Sequence, residues 1–286
     1  MSDLLPEIRE ICRLCEIKPS RSKGQNFLVN ENIYDDIMKV AEIEPDDTVL
    51  EIGPGLGFLT LKLAKRAKRV IAVELDDKLA NYLQTGIDAK GIANIKIVNE
   101  DILRFNFNTH LAPTEKYKIV ANLPYNITSI FLRLFLSSRR PPESFVLMLQ
   151  KEVAERIVAT PPEMSLLALS VQYYADAKII REVKAGNFWP EPKVDSAVIK
   201  ITVKDRLAGS LEEQLIDDKL FFRLAKVGFS AKRKMLKNNL AGGLKINQKV
   251  ISEILVKNKF NPQLRAEDLS LDDWRKLFAT LREFMV

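Results

Sequence analysis

Short apolar runs alternate with longer amphipathic segments through the middle of the chain. Thr48-Val49-Leu50-Glu51-Ile52, Arg69-Val70-Ile71-Ala72-Val73, Asn94-Ile95-Lys96-Ile97-Val98, Lys118-Ile119-Val120-Ala121 and Phe145-Val146-Leu147-Met148-Leu149 read as buried strands. Between them, helical spacing predicts helices opening at Phe58, at Asp77 (to about Ala89), at Ser129 (to Leu136), at Glu152 (to Val158) and at Ser165 (to Ala175). Strands and helices that alternate in this way predict a mostly parallel sheet covered on both faces. Ala177 to Lys184 and Ser196 to Val203 are two further strand-like runs, expected to pair antiparallel at one edge of that sheet.

The flanks have a different rhythm. Residues 3–16 read as a short amphipathic helix, followed by a basic, flexible segment from Lys18 to Leu28. Asn30 or Asn32 is placed to cap a helix reaching Ala41. Beyond about Lys204 the pattern is helical throughout, with capping expected at Ser270 and Asp272. The expected division is an α/β domain over 1–205 and a smaller all-helical domain over 206–286.

Composition narrows the picture. The 286 residues are 47% hydrophobic and 29% charged, ordinary for a globular protein with room for two cores. No apolar stretch nears the ~18–20 residues of a membrane span, and the acidic N-terminus suits neither a transit nor a secretory peptide. A cytoplasmic enzyme without a membrane partner is expected. Net charge is +6, and from Lys219 to Ser252 the chain carries nine basic residues and no acidic one, as a polyanion-binding surface requires. The only cysteines, Cys12 and Cys15, are one helical turn apart, and His110 is the only histidine. Zinc needs about four soft or imidazole ligands, so no metal site is expected, and a histidine-based triad is disfavoured. Helix packing, with Ile8, Ile11 and Leu14 on a nearby face, is the expected role of that segment.

Candidate chemistry gathers at the predicted strand ends. The first strand runs into Gly53-Pro54-Gly55-Leu56-Gly57 and then a helix, which brings bare backbone against a ligand at a helix N-terminus. Glu74 ends the second strand, 21 residues after Gly53, where an acid can accept both hydroxyls of a ribose. Asp101 follows the third, placed for the amino edge of an adenine. Together they point to an adenosine-containing ligand. The G-x-G-x-G spacing lacks the last glycine step of a dinucleotide fingerprint, and Glu51 would repel a diphosphate while suiting a cationic amino acid end. S-adenosylmethionine fits better than a nicotinamide cofactor. At the fourth strand end, Asn122-Leu123-Pro124-Tyr125 offers an amide, a fixed backbone and an aromatic ring to a flat heterocycle.

Four blocks carry a resemblance to a known family: Lys23-Gly24-Gln25-Asn26-Phe27-Leu28, Glu51-Ile52-Gly53-Pro54-Gly55-Leu56-Gly57, Asn122-Leu123-Pro124-Tyr125-Asn126-Ile127 and Phe188-Trp189-Pro190-Glu191-Pro192-Lys193-Val194-Asp195-Ser196. The chain resembles the ribosomal RNA adenine dimethyltransferase family over nearly its whole length, and most closely the KsgA-like branch. The resemblance implies a Rossmann-like class I methyltransferase sheet. It also implies transfer from S-adenosylmethionine to two adjacent adenosines near the 3′ end of small-subunit rRNA, with the 30S precursor as partner and a monomer as the working form. Carried over, it implies that Asn26 and Leu28 close over the cofactor and that Gly53, beside Gly55, lines its methionine end. Glu74 would take the ribose, Asp101 the adenine, and Asn122 the meeting point of cofactor and target.

The Asn122 side-chain oxygen and the Leu123 or Pro124 carbonyl would accept the target amine's hydrogens, Tyr125 would stack on the base with Phe188 as candidate for its other face, and Lys232, Arg233 and Lys234 would contact RNA. The chain departs from the family at Pro162-Glu163-Met164-Ser165-Leu166-Leu167, where a Gly-Ser/Thr-Lys-x-Tyr-Gly stretch is usual. It also has Lys234 and Met235 where Arg and Thr are common, which keeps charge but loses the forked guanidinium. Rival readings are a large-subunit rRNA adenine methyltransferase of the macrolide-resistance type, an amino DNA methyltransferase, and a non-catalytic assembly factor.

Overall fold

A computed structural model describes residues 3–19, 24–205 and 211–285. Ser20 to Lys23, within the segment expected to be basic and flexible, lie outside the described residues. In chain order the elements are α1 (Leu5–Leu14), β1 (Phe27–Leu28), α2 (Glu31–Ala41), β2 (Thr48–Ile52), α3 (Phe58–Ala64), β3 (Arg69–Val73), α4 (Asp77–Ala89), β4 (Ile95–Val98), α5 (Phe107–His110) and β5 (Lys118–Asn122). They continue with α6 (Thr128–Leu136), β6 (Ser144–Gln150), α7 (Lys151–Val158), α8 (Leu166–Tyr174), β7 (Ala175–Val183), β8 (Phe188–Trp189) and β9 (Ser196–Val203). Last come α9 (Leu211–Gly228), α10 (Leu236–Leu244), α11 (Gln248–Lys257) and α12 (Leu271–Leu281).

Two compact units form. The first takes residues 1–154 and 175–203. Its seven-stranded sheet has the order β4-β3-β2-β5-β6-β9-β7, with β4 to β6 parallel and β9 and β7 antiparallel at one edge, as the sequence pattern predicts. The central strands are apolar because both faces are covered: Val49, Leu50, Val70, Ile71, Ile119, Phe145 and Leu147 are fully buried. After β4 the chain returns to the other side of β2 to form β5. This reversal opens a crevice at the carboxyl ends of β2 and β5, where ligands of such sheets sit.

Local chemistry fixes the element ends. The Asn30 side chain accepts the Asn32 N–H at 3.1 Å and caps α2. In α1, Ile8 and Cys12, four residues apart, face inward, whereas Leu14 is 65% exposed, off the packed face expected for it. Both cysteines are free thiols. Phe27 and Leu28 are also a departure from a flexible segment. They are buried, and as β1 they pair antiparallel with Trp189 and Phe188 of β8.

The second unit is helical and takes 155–174 as well as 204–286. The expected boundary at 205 missed the earlier piece. Tyr173 and Tyr174 of α8 both donate their hydroxyls to the Asp218 carboxylate of α9, each at 2.9 Å. The Tyr173 ring stacks on Phe221 with centroids 4.5 Å apart. These contacts commit α8 to the helical core, built on Leu224, Leu236, Leu240, Leu255, Trp274 and Leu277. Ser270 caps α12 and Asp273, rather than Asp272, closes the capping box, because only the third helical residue can reach back to the cap N–H. No helix among the described residues is long and apolar enough to cross a membrane.

Gly228 ends α9 against Trp274, where an added Cβ would lie 2.3 Å from the ring. Gly228→Ala should destabilise the helical unit by about 1–3 kcal/mol. Thermal unfolding with a tryptophan fluorescence readout checks this, and an unchanged midpoint would contradict the packing described.

Candidate active site

A cavity of about 270 Å³ lies along the carboxyl ends of β2, β3, β4 and β5. Its walls hold Asn26, Leu28, Glu51, Gly53, Gly55, Glu74, Asp101, Asn122 and Pro124, so the chain gathers there every residue expected to bind the cofactor. Gly55 has φ +59°, and a Cβ there would meet the Phe27 ring at 3.2 Å, so the loop needs glycine for both backbone angle and space.

Three carboxyls shape the cavity. Glu74 ends β3 and is almost fully buried. Its two oxygens accept the N–H groups of Gly55 at 3.1 Å and Asp76 at 2.9 Å. The side chain thus braces the glycine loop to the next loop, and each oxygen keeps a second lone pair for a ligand hydroxyl. Asp101 accepts the Leu103 N–H on Oδ1 at 3.0 Å, which caps the turn after β4 and leaves Oδ2 to the cavity. Glu51 is 1% exposed, and its Oε2 has no hydrogen-bond partner among the described residues. Burial pushes its carboxyl up to about 8. The nearby Thr60 hydroxyl pulls it back without forming an aligned bond, and the Glu74 charge pushes it further. Burial likewise raises Glu74, while the N–H groups of Asp76 and Gly55 oppose the rise. Such an unpartnered buried acid is suited to a cation.

Asn122 is the last residue of β5. Its Nδ2 donates to the Asn26 carbonyl at 3.3 Å, which fixes the amide so that Oδ1 is the open acceptor. Gly24, at φ +66°, lies against Pro124, where a Cβ would be 3.2 Å from the proline Cβ. The N-terminal segment therefore rests on the tetrapeptide as well as on the cavity. The Pro124 carbonyl accepts the Ile127 N–H at 3.2 Å, whereas the Leu123 carbonyl has no partner among the described residues. Of the two carbonyls considered for the target amine, the Leu123 oxygen is the free one. Tyr125 is half-buried, with its hydroxyl 2.8 Å from Ser196 Oγ.

Phe188 is a correction. Its ring is 4% exposed and packs in the core with Leu28 and Tyr34, because β8 turns it inward where it pairs with β1. It presents no open face to a base. Two residues unforeseen in the sequence, Leu75 and Ile102, also line the cavity beside Glu74 and Asp101. Leu75 is 65% exposed, and an apolar residue inside the polar run Glu74-Leu75-Asp76-Asp77 is the signal that could have found it.

In the helical unit, Lys232, Arg233 and Lys234 stand exposed on the loop between α9 and α10. Asn239, nearly buried, holds that loop from beneath. Its Nδ2 donates to the carbonyls of Gly228 at 2.6 Å and Ala231 at 3.1 Å. The acid-free stretch in sequence is not acid-free in space, since Glu267 comes within 3.9 Å of Lys232. At 85% exposure of the lysine, that pair is a weak tie.

The ribosomal RNA adenine dimethylase family matches residues 18–283. The chain belongs to this family. It is 42% identical over 274 residues to ribosomal RNA small subunit methyltransferase A of Dehalococcoides mccartyi strain CBDB1, an alignment covering 96% of this chain and 92% of that one. Among solved structures, a dimethyladenosine transferase from Plasmodium falciparum superposes with TM-score 0.73 at 27% identity, covering 90% of this chain and 98% of that one. The 23S rRNA methyltransferase ErmE superposes with TM-score 0.71 at 26% identity, covering 90% and 100%. The protein is an S-adenosylmethionine-dependent rRNA adenine dimethyltransferase with the Rossmann-like sheet and helical C-terminal region expected from its sequence.

A carboxyl raised to about 8 in the fold and ordinary when unfolded makes the protein less stable as pH climbs from about 5 to 8, because the folded state holds the proton longer. Glu51→Gln should flatten that fall. Urea unfolding across this range checks it, and an unchanged slope in the variant would remove Glu51 as its source.

Proposed function

We propose that this enzyme dimethylates the exocyclic amines of two adjacent adenosines in a loop near the 3′ end of 16S rRNA, acting as a monomer on the cytoplasmic 30S precursor. The observation that carries the chemistry is the fixed amide of Asn122, whose Nδ2 is held by the Asn26 carbonyl. An adenine amine is a weak nucleophile because its lone pair is delocalised into the ring. Accepting its two hydrogens at Asn122 Oδ1 and the Leu123 carbonyl turns that lone pair out of the ring. No strong base is required, in keeping with a cavity that no histidine lines. Tyr125 covers one face of the flipped base, a contact worth ~1–3 kcal/mol.

The cavity fits S-adenosylmethionine, which supplies a sulfonium-activated methyl group. Glu51 is the counter-charge for its cationic amino acid end, Gly53 and Gly55 allow close approach, Glu74 receives ribose hydroxyls, and Asp101 receives the adenine amine. Leu28, buried where β1 pairs with β8, closes one wall with Asn26. Rate then comes from holding amine and methyl in line. The monomethyl product keeps one N–H and a lone pair, so one of the two acceptors can still orient it for a second transfer. The exposed loop Lys232-Arg233-Lys234 supplies phosphate contacts without reading sequence. The small-subunit target follows the identity to small subunit methyltransferase A. The near-equal superposition on ErmE makes 23S rRNA the alternative substrate to assay.

Asn122→Ala should lower methylation of 30S particles by at least about 100-fold with cofactor affinity largely kept. Radiolabelled methyl transfer and calorimetry check this, with 23S rRNA as the parallel substrate. Near-normal turnover of the variant, or preference for 23S rRNA, would overturn the assignment. Neutralising Lys232, Arg233 and Lys234 together should weaken RNA binding and cut its log–log salt slope by ~2. An unchanged slope would place the phosphate contacts elsewhere.

A further inference from the structure

The catalytic loop is held from two sides. The N-terminal segment fixes Asn122. Tyr125 is held from the antiparallel edge of the sheet, through the hydroxyl of Ser196. Ser196 is the first residue of β9, completely buried, and paired on both sides, to Gln150 of β6 and Val183 of β7. Its neighbour Asp195 adds three ties. The Asp195 carbonyl accepts the Lys151 N–H at 3.0 Å, its Oδ1 accepts the Ala185 N–H at 3.0 Å, and its Oδ2 accepts from Lys184 Nζ at 2.8 Å. The Ser196 hydroxyl is therefore a fixed point of the sheet.

Tyr125 sits in the opposite situation. It lies in the turn between β5 and α6, half-buried, and the bond to Ser196 Oγ at 2.8 Å is the only hydrogen bond of its side chain among the described residues. A tyrosine hydroxyl lies on the Cβ–Cζ axis of its ring. Pinning that oxygen fixes the direction of the axis, and so the distance from the ring face to Asn122, while leaving rotation about the axis to packing. A ring free at its far end would swing about χ1 and carry the stacked base with it. Displacements of about 1 Å at a reacting centre cost ~100-fold in rate.

We infer that Ser196 is a positioning residue for methyl transfer, holding Tyr125 so that the stacked adenine presents its amine to Asn122. This rests on the proposed stacking role of Tyr125. Ser196 is not among the residues lining the cofactor cavity, so its removal should leave cofactor binding alone.

The test is a double-mutant cycle on kcat with 30S particles, using Ser196→Ala, Tyr125→Phe and the pair, with Tyr125→Ala as reference. Ser196→Ala and Tyr125→Phe should each lower kcat about ten-fold. The double variant should be no slower than the worse single, and the KM for S-adenosylmethionine should stay within about two-fold, because one hydrogen bond is being removed from either end. A purely structural role would give additive losses that track the unfolding temperature. Wild-type kcat in Ser196→Ala, or additive losses, would overturn the inference while a slow Tyr125→Ala still upholds stacking. Wild-type kcat in Tyr125→Ala would overturn both.

Discussion

Parallel strands have to be buried on both faces, and everything at the site depends on that constraint. Helices must cover β2 to β6, so each strand returns to the same end of the sheet through a helix, and every loop that follows a strand lies along one carboxyl edge. Gly53 and Gly55, Glu74, Asp101 and Asn122 occupy four such successive loops or strand ends. The reversal of strand order beside β2 then opens the space between them. These strand-end residues, separated by up to 69 positions in the chain, meet in one cavity because the sheet leaves them no other edge.

The parts of this that the sequence showed are those governed by short-range periodicity. Strand runs such as Val70-Ile71-Ala72-Val73 are apolar because both faces are covered, and their ends can be counted off, so Glu74 and Asp101 were found where they stand. What escaped depends on contacts across long separations. Phe27 and Leu28 carry no strand signal of their own. Two residues become a strand only because Trp189 and Phe188 lie opposite them, more than 150 positions away. The same pairing hides the Phe188 ring, which the sequence offered as a stacking partner. The boundary of the helical unit was misread for a related reason: α8 is apolar enough for either core, and its contacts with Asp218 and Phe221 of α9 commit it to the helical one. Asn239 gives no sign in sequence of the two carbonyls it holds.

In the proposed mechanism, binding and chemistry fall to different groups of the cavity. Glu51 and Glu74 are both buried, and the Glu74 charge adds to the cost of ionising Glu51. Glu74 offsets that cost with two backbone N–H groups. Glu51 Oε2 has no such donor among the described residues, so its charged form stays costly in the fold. In the proposed mechanism neither acid takes a proton from the target amine, whose hydrogens are oriented by neutral acceptors, the Asn122 amide and a backbone carbonyl. A carboxylate at position 122 would accept those hydrogens more strongly, but it could not donate to the Asn26 carbonyl and would lose the contact that aims it. An amide can donate to its holder and accept from a target at once, and the proposed mechanism asks both of Asn122.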